Sequence, residues 1–225
     1  MKQHPFVDAV ASLSFENCFN PYTDRCRVHD RPDAPRRRSA GLSAMVERAC
    51  LAPVDAIWIG RDLGYRGGRR TGLALTDDVN VQRHAARWGM SLERPTKGGV
   101  VAERTAAVIW EMLDRIEDRI FLWNVFPLHP HEAGDPFSNR THNAREREAG
   151  RELLKLLVDL LRPRRLVAIG NDAAQAAERI AGPVVKVRHP SYGGQTEFLC
   201  QMSQIHGLAR KQPTLFGSPG GTRGR

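Results

Sequence analysis

Three residues in this 225-residue chain combine reactive side chains with positions that a fold can gather: Asp62, Asn124 and His189. A carboxylate can stabilise a neighbouring cation and take a proton from water, and an imidazole can donate to an oxygen that is gaining negative charge. A carboxamide accepts and donates at once, so it distinguishes complementary hydrogen-bonding edges. Taken singly, each has a plainer reading. Asp after a strand is often a turn or cap residue, Asn at a strand end often closes a turn, and His before Pro is usually a loop residue.

Their positions join them. Four short apolar runs read as strands: Val54–Gly60, Ile120–Phe126, Leu166–Gly170 and Val184–Val187. They are nearly continuous in hydrophobicity rather than alternating, as strands buried on both faces of a parallel sheet must be. Helical patterns separate and follow them. Ala102–Arg119 carries Ala106, Ile109, Leu113 and Ile116 on one stripe, and Asn143–Arg162 opens on the capping-box-like pair Asn143 and Glu146. Asn171–Ala181 and Thr196–Lys211 complete the pattern. Alternation of this kind predicts a doubly wound α/β fold: a three-layer α/β/α sandwich around a four-stranded, mainly parallel sheet with right-handed crossovers. Ligands of such sheets bind outside the carboxyl ends of the strands. Asp62, Asn124 and His189 fall there, beside Gly170-Asn171 at a helix N-terminus. A further helix is expected near Ser39–Leu51, after a loop holding Pro32, Pro35 and Arg36-Arg37-Arg38. Residues 1–211 read as one domain and residues 212–225 as a flexible, basic Gly/Pro-rich tail, and no internal repeat is present.

Charge narrows the partner. There are 34 Lys and Arg against 25 Asp and Glu, a formal +9, and the pI is ≈ 10.0. That balance fits a polyanion, and the arginine fork suits phosphate. Arg61, Arg66, Arg69 and Arg70 are therefore expected on a phosphate-facing surface, while Arg36–Arg38 fits a solvated face equally well. No apolar stretch approaches the ~18 residues of a membrane helix. The N-terminal residues lack a secretory signal, so a cytoplasmic, nucleoid-associated monomer is the expectation. Cys18, Cys26, Cys50 and Cys200 form no C-x-x-C pair and read as structural thiols. His129 and His131 have no carboxylate or cysteine partner at ligand spacing and read as a solvated loop. No metal and no cofactor are expected.

The segment G-R-D-L-G-Y-R from Gly60, followed by T-G-L-A-L to Leu75, resembles the water-activating motif of the uracil-DNA glycosylase superfamily, whose best-known form reads GQDPYH and then GLAF. Asn124-Val125-Phe126-Pro127 with Asn139-Arg140 is similar to that superfamily's N-V-x-x-x-x-P-P-x-N-R stretch. L-V-A-I-G-N-D-A-A-Q-A-A resembles its strand–glycine–helix element, and His189-Pro190-Ser191 matches its second catalytic motif. The matches run in family order over roughly residues 54–208.

The resemblance implies roles. Asp62 would stabilise an oxocarbenium-like sugar and orient the attacking water, and His189 would donate to uracil O2. Asn124 would read uracil N3–H and O4. Tyr65 would crowd the C5 position against thymine's methyl, and the backbone N–H groups of Arg61 and Asp62 would contact the base. The superfamily's stacking aromatic aligns with Leu75, which leaves Trp123 or Phe126 as alternative platforms. Its wedge is replaced by Tyr192-Gly193-Gly194-Gln195, so Ser191, Tyr192 and Gln195 join the expected DNA-binding set. Leu63-Gly64 lengthens the first loop by one residue, and the iron–sulfur cysteines of some branches are missing, which implies a divergent branch without a cluster.

Gln212-Pro213-Thr214-Leu215-Phe216 is similar to the Q-L-x-L-F peptide that docks bacterial repair proteins on the sliding clamp, with Leu215 and Phe216 as anchors. The function expected on these grounds is a glycosylase that flips uracil out of DNA and hydrolyses its N-glycosidic bond, leaving an abasic site for base excision repair. The alternatives are a glycosylase for another deaminated or mismatched base, and a basic module that binds damaged DNA without cutting it.

Overall fold

The structure, a computed structural model, describes residues 3–180 and 184–208. The clamp-like residues Gln212, Leu215 and Phe216, and the whole tail from 212, lie outside the described residues. Along the chain come α1 (Pro5–Ala11), β1 (Cys18–Phe19), α2 (Ala34–Ala49), β2 (Ala56–Gly60), α3 (Gly68–Thr71), α4 (Val81–Arg87) and α5 (Arg104–Leu113). They are followed by β3 (Ile120–Asn124), β4 (His129–Pro130), α6 (Ala144–Leu161), β5 (Arg165–Ile169), α7 (Asn171–Glu178), β6 (Val184–Val187) and α8 (Gln195–Ile205).

The four apolar runs form one parallel sheet in the order β3-β2-β5-β6. Every residue of β2 and β3 is buried, because helices cover both faces. One face packs on α1, α2, α6 and α7 through Val7, Leu42, Met45, Leu154 and Leu157. The other packs on α5 and α8 through Ile109, Met112, Phe198 and Met202. The expected three-layer α/β/α sandwich is therefore present. β1 and β4 add a small antiparallel pair at the side. The helix α6 begins at a true capping box: Glu146 N–H donates to Asn143 Oδ1 at 3.0 Å, and Asn143 N–H to Glu146 Oε2 at 2.7 Å. It lies so close to the sheet that a Cβ on Gly150 would stand 2.1 Å from the Val125 carbonyl oxygen.

Several expectations need correction. The strand β6 is an edge strand with Lys186 and Val185 exposed, not a run buried on both faces. The helix α5 stops at Leu113 and turns, although Ile116 still reaches the core. The helix α8 ends at Ile205 ahead of Gly207, whose φ of +62° is a helix-stopping conformation. Arg36–Arg38 belong to α2 rather than to a loop, since Pro35 suits a first helical turn. Of these three, Arg38 is buried and grips Asp30 with two hydrogen bonds of 2.9 and 2.5 Å. His129 is not solvated either: it is fully buried in β4, and its Nε2 lies 2.9 Å from the Ser138 carbonyl. Burial first, and Arg69 second, push its pKa down to about 3, so it is neutral.

Candidate active site

From β2 the chain runs to β3 on one side, and β5 then adds on β2's other side. The crevice of a doubly wound sheet opens at such a reversal. Here it is a cleft of ≈ 670 Å³, lined by Arg61 and Asp62 after β2, Ile169 and Gly170 at the end of β5, and His189 and Ser191 after β6. Chain segments far apart in sequence thus deliver a carboxylate and an imidazole to one space.

Asp62 is held at both oxygens. Arg61 Nε donates to Oδ2 at 2.7 Å, and His142 Nδ1 donates to Oδ1. The side chains of Asp62 and His142 are 6% and 3% exposed, so the His142 contact acts where water screens little, whereas Arg61 holds from the solvent side. Arg61 reaches on to Asp172 at 3.3 Å and so ties the loop after β2 to the start of α7. The loop itself is anchored: Leu63 N–H donates to the Leu128 carbonyl and Tyr65 N–H to Asn139 Oδ1, at 3.2 and 2.9 Å.

His189 faces the cleft as a neutral ring with a defined tautomer. The Ser191 backbone N–H donates to its Nδ1 at 3.2 Å, which places the ring proton on Nε2. Burial lowers its pKa, and the Arg61 and Arg188 charges lower it further. The bend that carries it requires Gly194, where a Cβ would lie 2.1 Å from the His189 carbonyl oxygen. Beyond it, Tyr192 is 99% exposed with φ at +52°, a strained left-handed conformation for an aromatic residue.

Asn124 ends β3 directly beside Gly60, with its Oδ1 and the Leu75 side chain both packed over that glycine's Cα. It is 1% exposed, and neither amide atom has a hydrogen-bond partner among the described residues. A buried amide left this way is costly. Asn124 lies at the cleft's sheet edge but is not among the residues that line the cleft. Leu75, another left-handed residue at φ +53°, is fixed by Trp110 Nε1 donating to its carbonyl at 3.1 Å. Tyr65 does not line the cleft. Its hydroxyl accepts from Arg66 Nε at 2.7 Å, and the guanidinium sits over the ring.

A family model described as the uracil DNA glycosylase superfamily matches residues 2–204. The chain belongs to the uracil DNA glycosylase superfamily. Among solved structures, the crystal structure of wild-type Pedobacter heparinus SMUG2 matches with a TM-score of 0.54 at 14% identity, over 92% of this chain and 98% of that one. At that identity the likeness is one of fold. No curated protein matches. Superfamily membership carries the general activity, a DNA glycosylase hydrolase with DNA as its substrate.

Seen as a superfamily member, the chain departs from its sequence reading in its arginines. Arg69 and Arg70 are turned inward, each 4% exposed. Arg70 makes two hydrogen bonds of 2.9 and 2.6 Å to buried Asp78, and Arg69 lies over the rings of Phe19 and Phe137 at 4.0 and 5.1 Å. They stiffen the first motif loop from within and cannot face phosphate. Arg66 stays exposed, as do Gln195 and, beside the cleft, Arg188. Arg140 of the motif-like stretch is also structural: it pairs with Glu146 at 2.6 Å and bonds the Asn17 carbonyl at 3.2 Å.

Two site residues escaped sequence reading. His142 sits 80 residues from Asp62, and only the fold joins them. Glu103, the N-cap of α5, lines the cleft in a notch opened by Gly64 and Gly67. Burial raises its pKa to about 7; Asp77 adds to the rise and Arg66 opposes it. The one available signal was the paired glycines flanking Tyr65. Among the described residues no group of three or more His, Cys, Asp or Glu could hold a metal ion, and no helix is long and apolar enough to cross a membrane.

Proposed function

We propose that the protein excises uracil from DNA. What carries this reading is the convergence on one cleft of a doubly held carboxylate, Asp62, and a neutral Nε2–H imidazole, His189. A flipped deoxyuridine loses its base when the C1′–N1 bond breaks and the electron pair leaves with uracil. Negative charge collects on O2, where His189 donates its hydrogen bond; a neutral donor does so without having to lose a proton first. Positive charge spreads over the sugar and is stabilised by Asp62. Water then adds to C1′, its proton passes to Asp62, and an abasic site remains. Asn124 would meet N3–H and O4 with its two unpartnered amide atoms, a pattern cytosine reverses.

A second reading has one observation behind it. Tyr65, the residue expected to bar thymine's methyl, stands outside the cleft, which favours some action on thymine opposite guanine. The cytoplasmic setting and clamp docking remain proposals of the same kind. The test is cleavage of labelled oligonucleotides carrying one uracil, hypoxanthine or mismatched thymine, followed by alkali, beside the Asp62→Asn variant. Breaks at uracil that vanish in the variant support the reading. Binding without any excision would replace it with the non-catalytic module.

A further inference from the structure

We propose that His142 is the positioning residue for Asp62, holding the carboxylate in the plane from which it meets the sugar and the water; this rests on the function proposed above. The Asp62 carboxylate can swing about a broad terminal torsion, and one donor does not fix it. The two donors differ in kind. Arg61 is 42% exposed and shares its guanidinium with Asp172, so it is a solvent-side clamp. The His142 side chain is only 3% exposed and is immobilised from several directions. Its ring lies against Phe126 at 6.0 Å between centroids. The next residue, Asn143, is locked by the capping box of α6, and Arg140 before it is tied to Glu146 of the same helix. A buried donor on Oδ1 and a half-exposed one on Oδ2 give the carboxylate one orientation while leaving its outer oxygen on the solvent side.

The chemistry of the contact sets the tautomer. A carboxylate oxygen only accepts, so His142 carries its proton on Nδ1. That is opposite to His189, whose Nδ1 accepts from the Ser191 N–H. The two imidazoles of the site are therefore wired in opposite senses, one to hold the carboxylate and one to meet the base.

The test compares His142→Asn, whose Nδ2 can replace the Nδ1 donor, with His142→Leu, of similar size and without a donor. Single-turnover excision of uracil at saturating DNA should fall roughly 10- to 100-fold in the Leu variant, as when a supporting hydrogen-bond partner is removed, and the Asn variant should recover most of that loss. DNA affinity should stay unchanged in both. In an Asp62→Asn background, His142→Leu should add almost no further loss, because its effect passes through the carboxylate. An equal loss in that background, or wild-type rate in the Leu variant, overturns the proposal. Should the Leu variant fail to fold, nitrogen-15 spectra of the histidines in the wild-type protein decide: a His142 protonated on Nε2 alone refutes it. If Asp62→Asn itself cleaves at wild-type rate, the proposed function fails first. If Asp62→Asn is inactive and His142→Leu is fully active, only the positioning role falls.

Discussion

Replacing Asn124 by leucine should make this protein more stable and less active at once. The amide is 1% exposed and both its polar atoms lack partners among the described residues. Burying an unpaired amide costs about 1–3 kcal/mol by mutational measures. Leucine has the same number of side-chain heavy atoms and carries no such cost. Its bulkier methyl groups must share space with Leu75 over Gly60, an overpacking cost of about 1 kcal/mol. The net expectation is a gain of up to about 2 kcal/mol, or up to about 8 °C in Tm for a chain of this size. Losing two hydrogen bonds to the base, at about 0.5–1.5 kcal/mol each, should slow uracil excision roughly 5- to 150-fold. Urea unfolding read by far-UV circular dichroism gives the first quantity, and single-turnover cleavage at saturating DNA gives the second. A variant that unfolds at lower urea than wild type would refute the reasoning, because Asn124 would then be satisfied within the fold and not held for a ligand.

Further outcomes follow from the same geometry. Glu103 has a folded pKa raised to about 7 by burial and Asp77, above its ordinary value of 4.5, so the folded state binds its proton more tightly than the unfolded chain does. That contribution to stability is complete below about pH 4.5 and is lost as pH rises to about 7. Glu103→Gln should therefore match wild type near pH 4 and exceed it near pH 8 in urea unfolding, and a pH-independent difference would contradict the assignment. Arg70→Ala strands the buried Asp78 carboxylate, which keeps only Thr96 Oγ1 at 2.9 Å, the Val101 N–H at 3.2 Å and a distant Arg94. It should cost about 3 kcal/mol of stability while leaving the salt slope of DNA binding unchanged. Arg188→Ala, on the exposed rim, should lower that slope by about 1 with little change in stability. Tyr192→Ala, at a fully exposed position, should stay within about 0.5 kcal/mol of wild-type stability. It should slow excision from duplex more than from single-stranded DNA, since only the duplex must be opened; equal slowing on both would argue against a wedge.

The sheet was legible in the sequence because its central strands are covered on both faces, which forces continuous apolar runs at β2, β3 and β5. The edge strand β6 was found from the same signal but misjudged in burial, since one of its long sides has no neighbouring strand among the described residues. The placement of Asp62, Asn124 and His189 at one edge was legible because strand ends in such a sheet share that edge, a rule of topology rather than of contact. What escaped were features set by side-chain pairing across the fold. Arg69 and Arg70 read as surface charge because composition records a charge and not its partner; Asp78, Phe19 and Phe137 turned them inward. His142 and Glu103 carried no local signal, because the first acts through a carboxylate 80 residues away and the second through a notch that Gly64 and Gly67 leave open. The chain alone determined the four strands of the sheet, its main covering helices and the edge on which the strand ends lie, because backbone burial and period are local properties. The tertiary structure decided which charges face out, which tautomers the two imidazoles hold and how Asp62 is gripped, because each depends on a partner that only folding supplies.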